Sequence, residues 1–147
     1  LSIGTSTFDD LIFKVNDINA GRLGTNGSVV FGTGTSSSQN GVAIGTNSTA
    51  NNNESTAIGA GSNAAGFQSL ALGYNAKTNS NNETAVGNNA QTNGQNSTAL
   101  GTGTNASGQN STALGFGAST AQANAIVIGN SSANVGIGTS TLILLQK

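Results

Sequence analysis

Residue types that carry out chemistry are scarce in this chain, and their spacing narrows the options further. There is no histidine, which excludes a Ser-His-Asp triad and a His-ligated metal site. Glu54 and Glu83 are the carboxylates of the repetitive middle. A glycosidase pair needs two carboxyls on a common face at a set separation. These two occupy the ninth and tenth places of a repeating unit, so strand alternation points them to different faces, and they read as solvated surface charges. Asp9, Asp10 and Asp17 lack the Asp/Gly spacing of a calcium loop. Gly-x-Gly runs such as Gly115-Phe116-Gly117 have no helix after them to receive a phosphate, and read as corners. The expectation is a non-enzymatic protein with no catalytic residues, no metal and no cofactor.

The elements that must position whatever function remains are repeats. Glycine recurs every fourteen residues at Gly45, Gly59, Gly73, Gly87, Gly101, Gly115 and Gly129. An aliphatic residue precedes it in each complete unit (Ile58, Leu72, Val86, Leu100, Leu114, Ile128), with alanine before that in five (Ala57, Ala71, Ala85, Ala99, Ala113) and Val127 in the last. A fixed short period marks a solenoid, in which no coil buries its apolar face alone. The strict register also argues against disorder in so Asn-, Ser-, Thr- and Gly-rich a chain. Within each coil the residues before glycine, as in Ser97-Thr98-Ala99-Leu100, predict one short strand. The third to fifth after it, as in Thr104-Asn105-Ala106, predict a second. Asn and Gly between them suit tight corners, and no stretch offers a helical apolar stripe. Parallel stacking is then expected, with an advance of about 4.8 Å per coil.

The third and fifth places after glycine are small in every unit. The aliphatic column is therefore expected to face them, making Ile58, Leu72, Val86, Leu100, Leu114 and Ile128 the core of a thin coil. So little apolar material per coil predicts oligomerisation. The alanine column Ala57, Ala71, Ala85, Ala99 and Ala113 is then the expected interface, in a three-fold arrangement as the natural closed form.

The flanks differ from the repeat. Residues 1–32 predict a β cap over the open end of the solenoid. Leu11, Phe13 and Val15 alternate onto one side of a half-buried strand, and Asn26-Gly27 signals a type I′ hairpin. Residues 33–130 form the roll, opened by a short thirteen-residue step from Gly32 to Gly45, and residues 131–147 a connector to a following module. Ile3-Gly4-Thr5-Ser6-Thr7 recurs as Ile137-Gly138-Thr139-Ser140-Thr141, as if joints of a longer fibre carried that motif. Without an initiator Met or a signal peptide, the chain reads as mature or as a fragment of something longer. Nine charged residues with a net of −1 and four scattered cations (Lys14, Arg22, Lys77, Lys147) argue against nucleic acid. No apolar run approaches a membrane span, and without cysteine there are no disulfides.

The units Asn53-Glu54-Ser55-Thr56-Ala57-Ile58-Gly59, Asn96-Ser97-Thr98-Ala99-Leu100-Gly101 and Asn110-Ser111-Thr112-Ala113-Leu114-Gly115, each followed by a Gly-x-x-[Ala/Ser/Thr] step, resemble the head repeats of YadA-type trimeric autotransporter adhesins. The resemblance covers about residues 40 to 130. It implies an all-β, left-handed parallel β-roll that is a homotrimer, lies outside the cell and attaches to a host-surface or matrix protein or glycan. Neither the family's neck motif nor its membrane anchor is recognisable in the flanks. Similar repeats occur in bacteriophage tail fibres, which Gly136 to Thr141 also resembles, so a receptor-binding tail-fibre segment is the alternative. An ice-binding or purely structural solenoid is the distant one, since the column after glycine (Thr46, Ala60, Tyr74, Asn88, Thr102, Phe116) is no regular Thr array. Tyr74, Phe67 and Phe116 are the ligand-contact candidates, aromatics being frequent anchors of contact; Phe67 and Phe116 serve equally well at a subunit interface.

Overall fold

The structure is a computed structural model and describes residues 9–133 and residue 135. The Ile-Gly-Thr-Ser-Thr pair and the Leu142 to Leu145 run lie outside the described residues.

The chain opens with β1 (Leu11–Val15) and β2 (Ile18–Leu23). Coils then alternate a three-residue and a two-residue strand: β3 (Val29–Phe31), β4 (Ser36–Ser37), β5 (Val42–Ile44), β6 (Thr49–Ala50), β7 (Thr56–Ile58) and β8 (Asn63–Ala64). The pattern continues through β9 (Leu70–Leu72), β10 (Lys77–Thr78), β11 (Thr84–Val86), β12 (Gln91–Thr92) and β13 (Thr98–Leu100). It ends with β14 (Asn105–Ala106), β15 (Thr112–Leu114), β16 (Ser119–Thr120) and β17 (Ile126–Ile128). From β3 onward the longer strands stack in parallel into one sheet and the shorter ones into a second. Register advances by fourteen residues per rung, as in Ala85↔Ala99 and Thr78↔Thr92. Both strands of each coil lie within a residue of where the repeat places them.

Two corners per coil explain the glycine and asparagine columns. The first is a four-residue turn that starts at the repeat glycine, and its third residue has positive φ: Asn47 (56°), Gly61 (68°), Asn75 (53°), Asn89 (53°), Gly103 (66°), Gly117 (66°). Only Gly or Asn occupies that place, because other side chains resist the left-handed region. The fourth residue closes the turn, Ser48 N–H donating to the Gly45 carbonyl at 3.0 Å and Ser62 to Gly59 at 3.1 Å. On the opposite edge Asn40, Glu54, Gln68, Asn82, Asn96, Asn110 and Asn124 repeat the device with φ between 53° and 60°. The repeat glycine itself has no alternative at Gly73 and Gly87, where φ is 133° and 138°. A Cβ there would fall on the carbonyl of the glycine one coil further on.

Burial reverses the expected interior. Ala57, Ala71, Ala85, Ala99 and Ala113, expected at a subunit interface, are 0% exposed and line the inside of the roll. They face Ala50, Ala64, Thr78, Thr92 and Ala106, also 0% exposed. Ile58, Leu72, Val86, Leu100, Leu114 and Ile128, expected in the core, lie on the outer face of the long sheet, Leu100 44% and Ile128 50% exposed. The physical reason is width. Four-residue corners hold the two sheets so close that mostly Ala, Ser and Thr fill the space between them, with Val30 at the cap end and Glu83 folded into a corner. Inward leucines along the column would overpack the gap.

At the N-terminal end β1 and β2 continue the long sheet antiparallel, so that β1 is its edge. The expected Asn26-Gly27 hairpin joins β2 to β3, but with positive φ at Gly27 (79°) and not at Asn26. Gly27 N–H donates to the Gly24 carbonyl at 3.0 Å and Gly24 N–H to that of Ser28 at 2.8 Å, the pattern of a type I turn followed by a left-handed glycine rather than type I′. The two-residue loop with positive φ at both places is Asn16-Asp17 (50° and 61°), between β1 and β2. Of the strand expected to be half-buried, Leu11 is, whereas Phe13 and Val15 are exposed, 40% and 63%.

Candidate functional site

With the interior filled by small side chains, function falls to the outer surfaces, and these differ in chemistry. The long sheet presents an in-register column of Ile44, Ile58, Leu72, Val86, Leu100, Leu114 and Ile128. Ile44, Leu72 and Leu114 are 37–38% exposed. Two residues earlier in each strand stand Val42, Thr56, Leu70, Thr84, Thr98, Thr112 and Ile126, which frame the column. Towards the cap it runs into Phe31, whose ring lies 5.5 Å from that of Phe13. The opposite outer face carries Thr49, Asn63, Lys77, Gln91, Asn105 and Ser119. A continuous apolar stripe on an otherwise polar surface marks a contact site.

The aromatic candidates are not brought together. Tyr74 and Phe116 occupy the second place of the first corner, 56% and 73% exposed. Three coils, roughly 14 Å, separate them along the axis. Phe67 takes the equivalent place of the opposite corner and is half-buried, its N–H donating to Asn81 Oδ1 at 3.0 Å. Phe116 lines an apolar hollow with Leu114, Ile128 and Val135 at the end of the roll.

Glu83 is not a solvated charge. It takes the place of the serines Ser55, Ser69, Ser97 and Ser111 and is 1% exposed. Its Oε2 accepts the N–H groups of Asn79 (2.6 Å) and Ser80 (2.7 Å), so the carboxylate caps a corner from inside. Glu54 stands at an exposed positive-φ corner and accepts from Gln68 Nε2 at 2.7 Å. The two glutamates do point to different sides, as their columns imply, but one of those sides is the interior. Sequence reasoning also missed the amide ladder, in which Asn82, Asn96 and Asn110 each donate from Nδ2 to Oδ1 of the asparagine one coil on, at 3.0–3.1 Å. Its signal was present in the recurrence of Asn at that column.

In the cap, Asp10 accepts from Arg22 Nη1 and from Thr25 N–H, both at 2.8 Å. The Arg22 hydrogen bond, followed by that of Thr25, holds its carboxyl below the usual carboxylate range. Among the described residues no group of His, Cys, Asp and Glu could hold a metal ion.

Two sheets of very short parallel strands, joined by paired left-handed corners every fourteen residues, define a repeat β-roll with an apolar outer stripe. The family model for the YadA head domain repeat (2 copies) matches residues 36–62, 64–82, 84–104 and 106–132, and the chain belongs to that family. It is similar to the crystal structure of the collagen-binding domain of the Yersinia adhesin YadA, with 31% identity over 66% of this chain and a TM-score of 0.52. The match spans 62% of that chain. No curated protein sequence matches. The chain is thus built from adhesin-type head repeats.

Proposed function

We propose that the chain is the attachment module of a surface fibre. It works as a left-handed roll in a homotrimer, closed by residues 1–32 and joined through residues 131–147 to the next module of the fibre. The observation that carries this reading is the apolar stripe from Ile44 to Ile128, on one outer face of a molecule whose other face is polar. Each protomer gains by turning that stripe towards an axis shared with two copies, which leaves the polar sheet and both corners outward. Tyr74, Phe116 and Phe67 are the proposed contacts to a host-surface or matrix protein or glycan. The kinship to a collagen-binding domain makes a matrix protein the first partner to test. The tail-fibre alternative rests on the same repeats and on Gly136 to Thr141, which lie outside the described residues.

The experiment is binding of the oligomeric protein to immobilised collagen, other matrix proteins and intact host cells. Saturable binding that weakens about tenfold in a Tyr74→Ala, Phe116→Ala variant is expected. No binding to any of these surfaces overturns the attachment reading.

A further inference from the structure

The polar outer sheet is uniform along its length except at one place. Lys77 is the single cation between residues 33 and 130. With Asn75, Asn89 and Gln91 it lines a surface cavity of about 200 Å³. The four residues are two pairs set one coil apart. Lys77 is in register with Gln91 across β10 and β12, and Asn75 and Asn89 hold the same positive-φ corner place in those coils. Backbone geometry therefore sets the two pairs one rung apart, at about 4.8 Å.

The chemistry of the lining is unspent. Lys77 has no ion pair among the described residues, where the salt bridge is Arg22–Asp10. The carboxylate of Glu83, in the same repeat, turns inward to Asn79 and Ser80. Asn89 donates to Asn88 Oδ1 and Gln91 to Asn93 Oδ1, which leaves both side-chain carbonyl oxygens free to accept, and the Asn75 amide has no side-chain partner among the described residues. Amides both donate and accept, as sugar hydroxyls do. A lone ammonium supplies one point charge, too little for a nucleic-acid backbone, and the cavity holds no apolar pocket for a peptide anchor.

We propose that this cavity binds the anionic group of an acidic saccharide. Lys77 pairs with its carboxylate or sulfate, and Asn75, Asn89 and Gln91 bond the neighbouring hydroxyls. The exposed Tyr74 precedes Asn75 at the same corner. This assignment rests on the attachment reading and names a ligand class for it. It is compatible with the proposed trimer, because the cavity lies on the sheet opposite the apolar stripe.

The test applies the whole chain, in its solution oligomer, to sialylated, uronate-bearing and sulfated oligosaccharides, each beside its neutral counterpart. At least one acidic class is expected to bind about tenfold or more above its counterpart, and the responding arm tells carboxylate from sulfate. Lys77→Gln abolishes that preference with an unchanged sedimentation coefficient, Lys77→Arg retains it, and added salt weakens it. Equal binding of neutral and acidic sugars, no saccharide binding, or a Lys77→Gln protein with the wild-type preference each overturns the assignment. Matrix-protein binding measured on the same preparations separates the two claims: if it persists while saccharides fail, only this assignment falls.

Discussion

Single positions carry much of this fold because each is copied, one coil on, into a neighbour that depends on it. Gly73 combines a φ of 133° with backbone directly above it, whereas Gly103, with a φ of 66°, has open space where a Cβ would go. Gly73→Ala is therefore expected to cost about 1–3 kcal/mol in backbone conformation, with a steric clash added. Gly103→Ala should cost about 1–2 kcal/mol. Thermal unfolding followed by β-sheet circular dichroism checks the order, and equal midpoints for the two variants would contradict it. Glu83→Ala orphans the N–H groups of Asn79 and Ser80 and should cost about 1–3 kcal/mol. Glu83→Gln, which keeps an acceptor oxygen, should cost less by the same measurement. Glycine and asparagine columns were legible because positive φ restricts residue choice. The role of Glu83 was not legible, since a carboxylate in a polar repeat looks solvated until the corner it caps is seen.

At the scale of the element, the sequence shows alternation without saying which face is inside. A period of two is satisfied by either choice, and a shift of one residue exchanges the faces. Leucine's usual preference for the interior suggests the wrong one. Corner length decides, because it sets a gap only small side chains fill. Ala99→Leu is therefore expected to destabilise the roll by about 1–3 kcal/mol through overpacking, while Leu100→Ala leaves the coil intact and weakens association between chains. Unfolding midpoints and sedimentation of the two variants separate these effects. The opposite pattern would restore the alanine column to the surface. The cap has its own switch. Asp10 is held below the usual carboxylate range by Arg22 and then Thr25, so its contribution is complete above the unfolded-state value and is lost as pH falls through the lower folded one. The Thr25 amide resonance should stay fixed from pH 7 to about 4 and move below that. The transition should be absent in Asp10→Asn, and its presence there would assign it to another group.

For the whole molecule, a fourteen-residue period, two strands per coil and parallel stacking were all readable from spacing, and kinship with the YadA head repeat could be seen in the Asn-Ser-Thr-Ala-Leu-Gly units. The surfaces were harder to read, because assigning them requires knowing which column points outward. Once the aliphatic column is placed outside, the roll has an interior made mostly of Ala, Ser and Thr and carries an outer stripe of Ile, Leu and Val. In the proposed reading, self-association follows from that stripe. The most direct measurement is the solution mass, by sedimentation equilibrium, of the wild-type chain and of a Leu72→Asn, Leu100→Asn, Leu114→Asn variant. The wild type is expected at three times the chain mass and the variant at one to two. A folded wild-type monomer, or a variant that remains a trimer, would contradict the account.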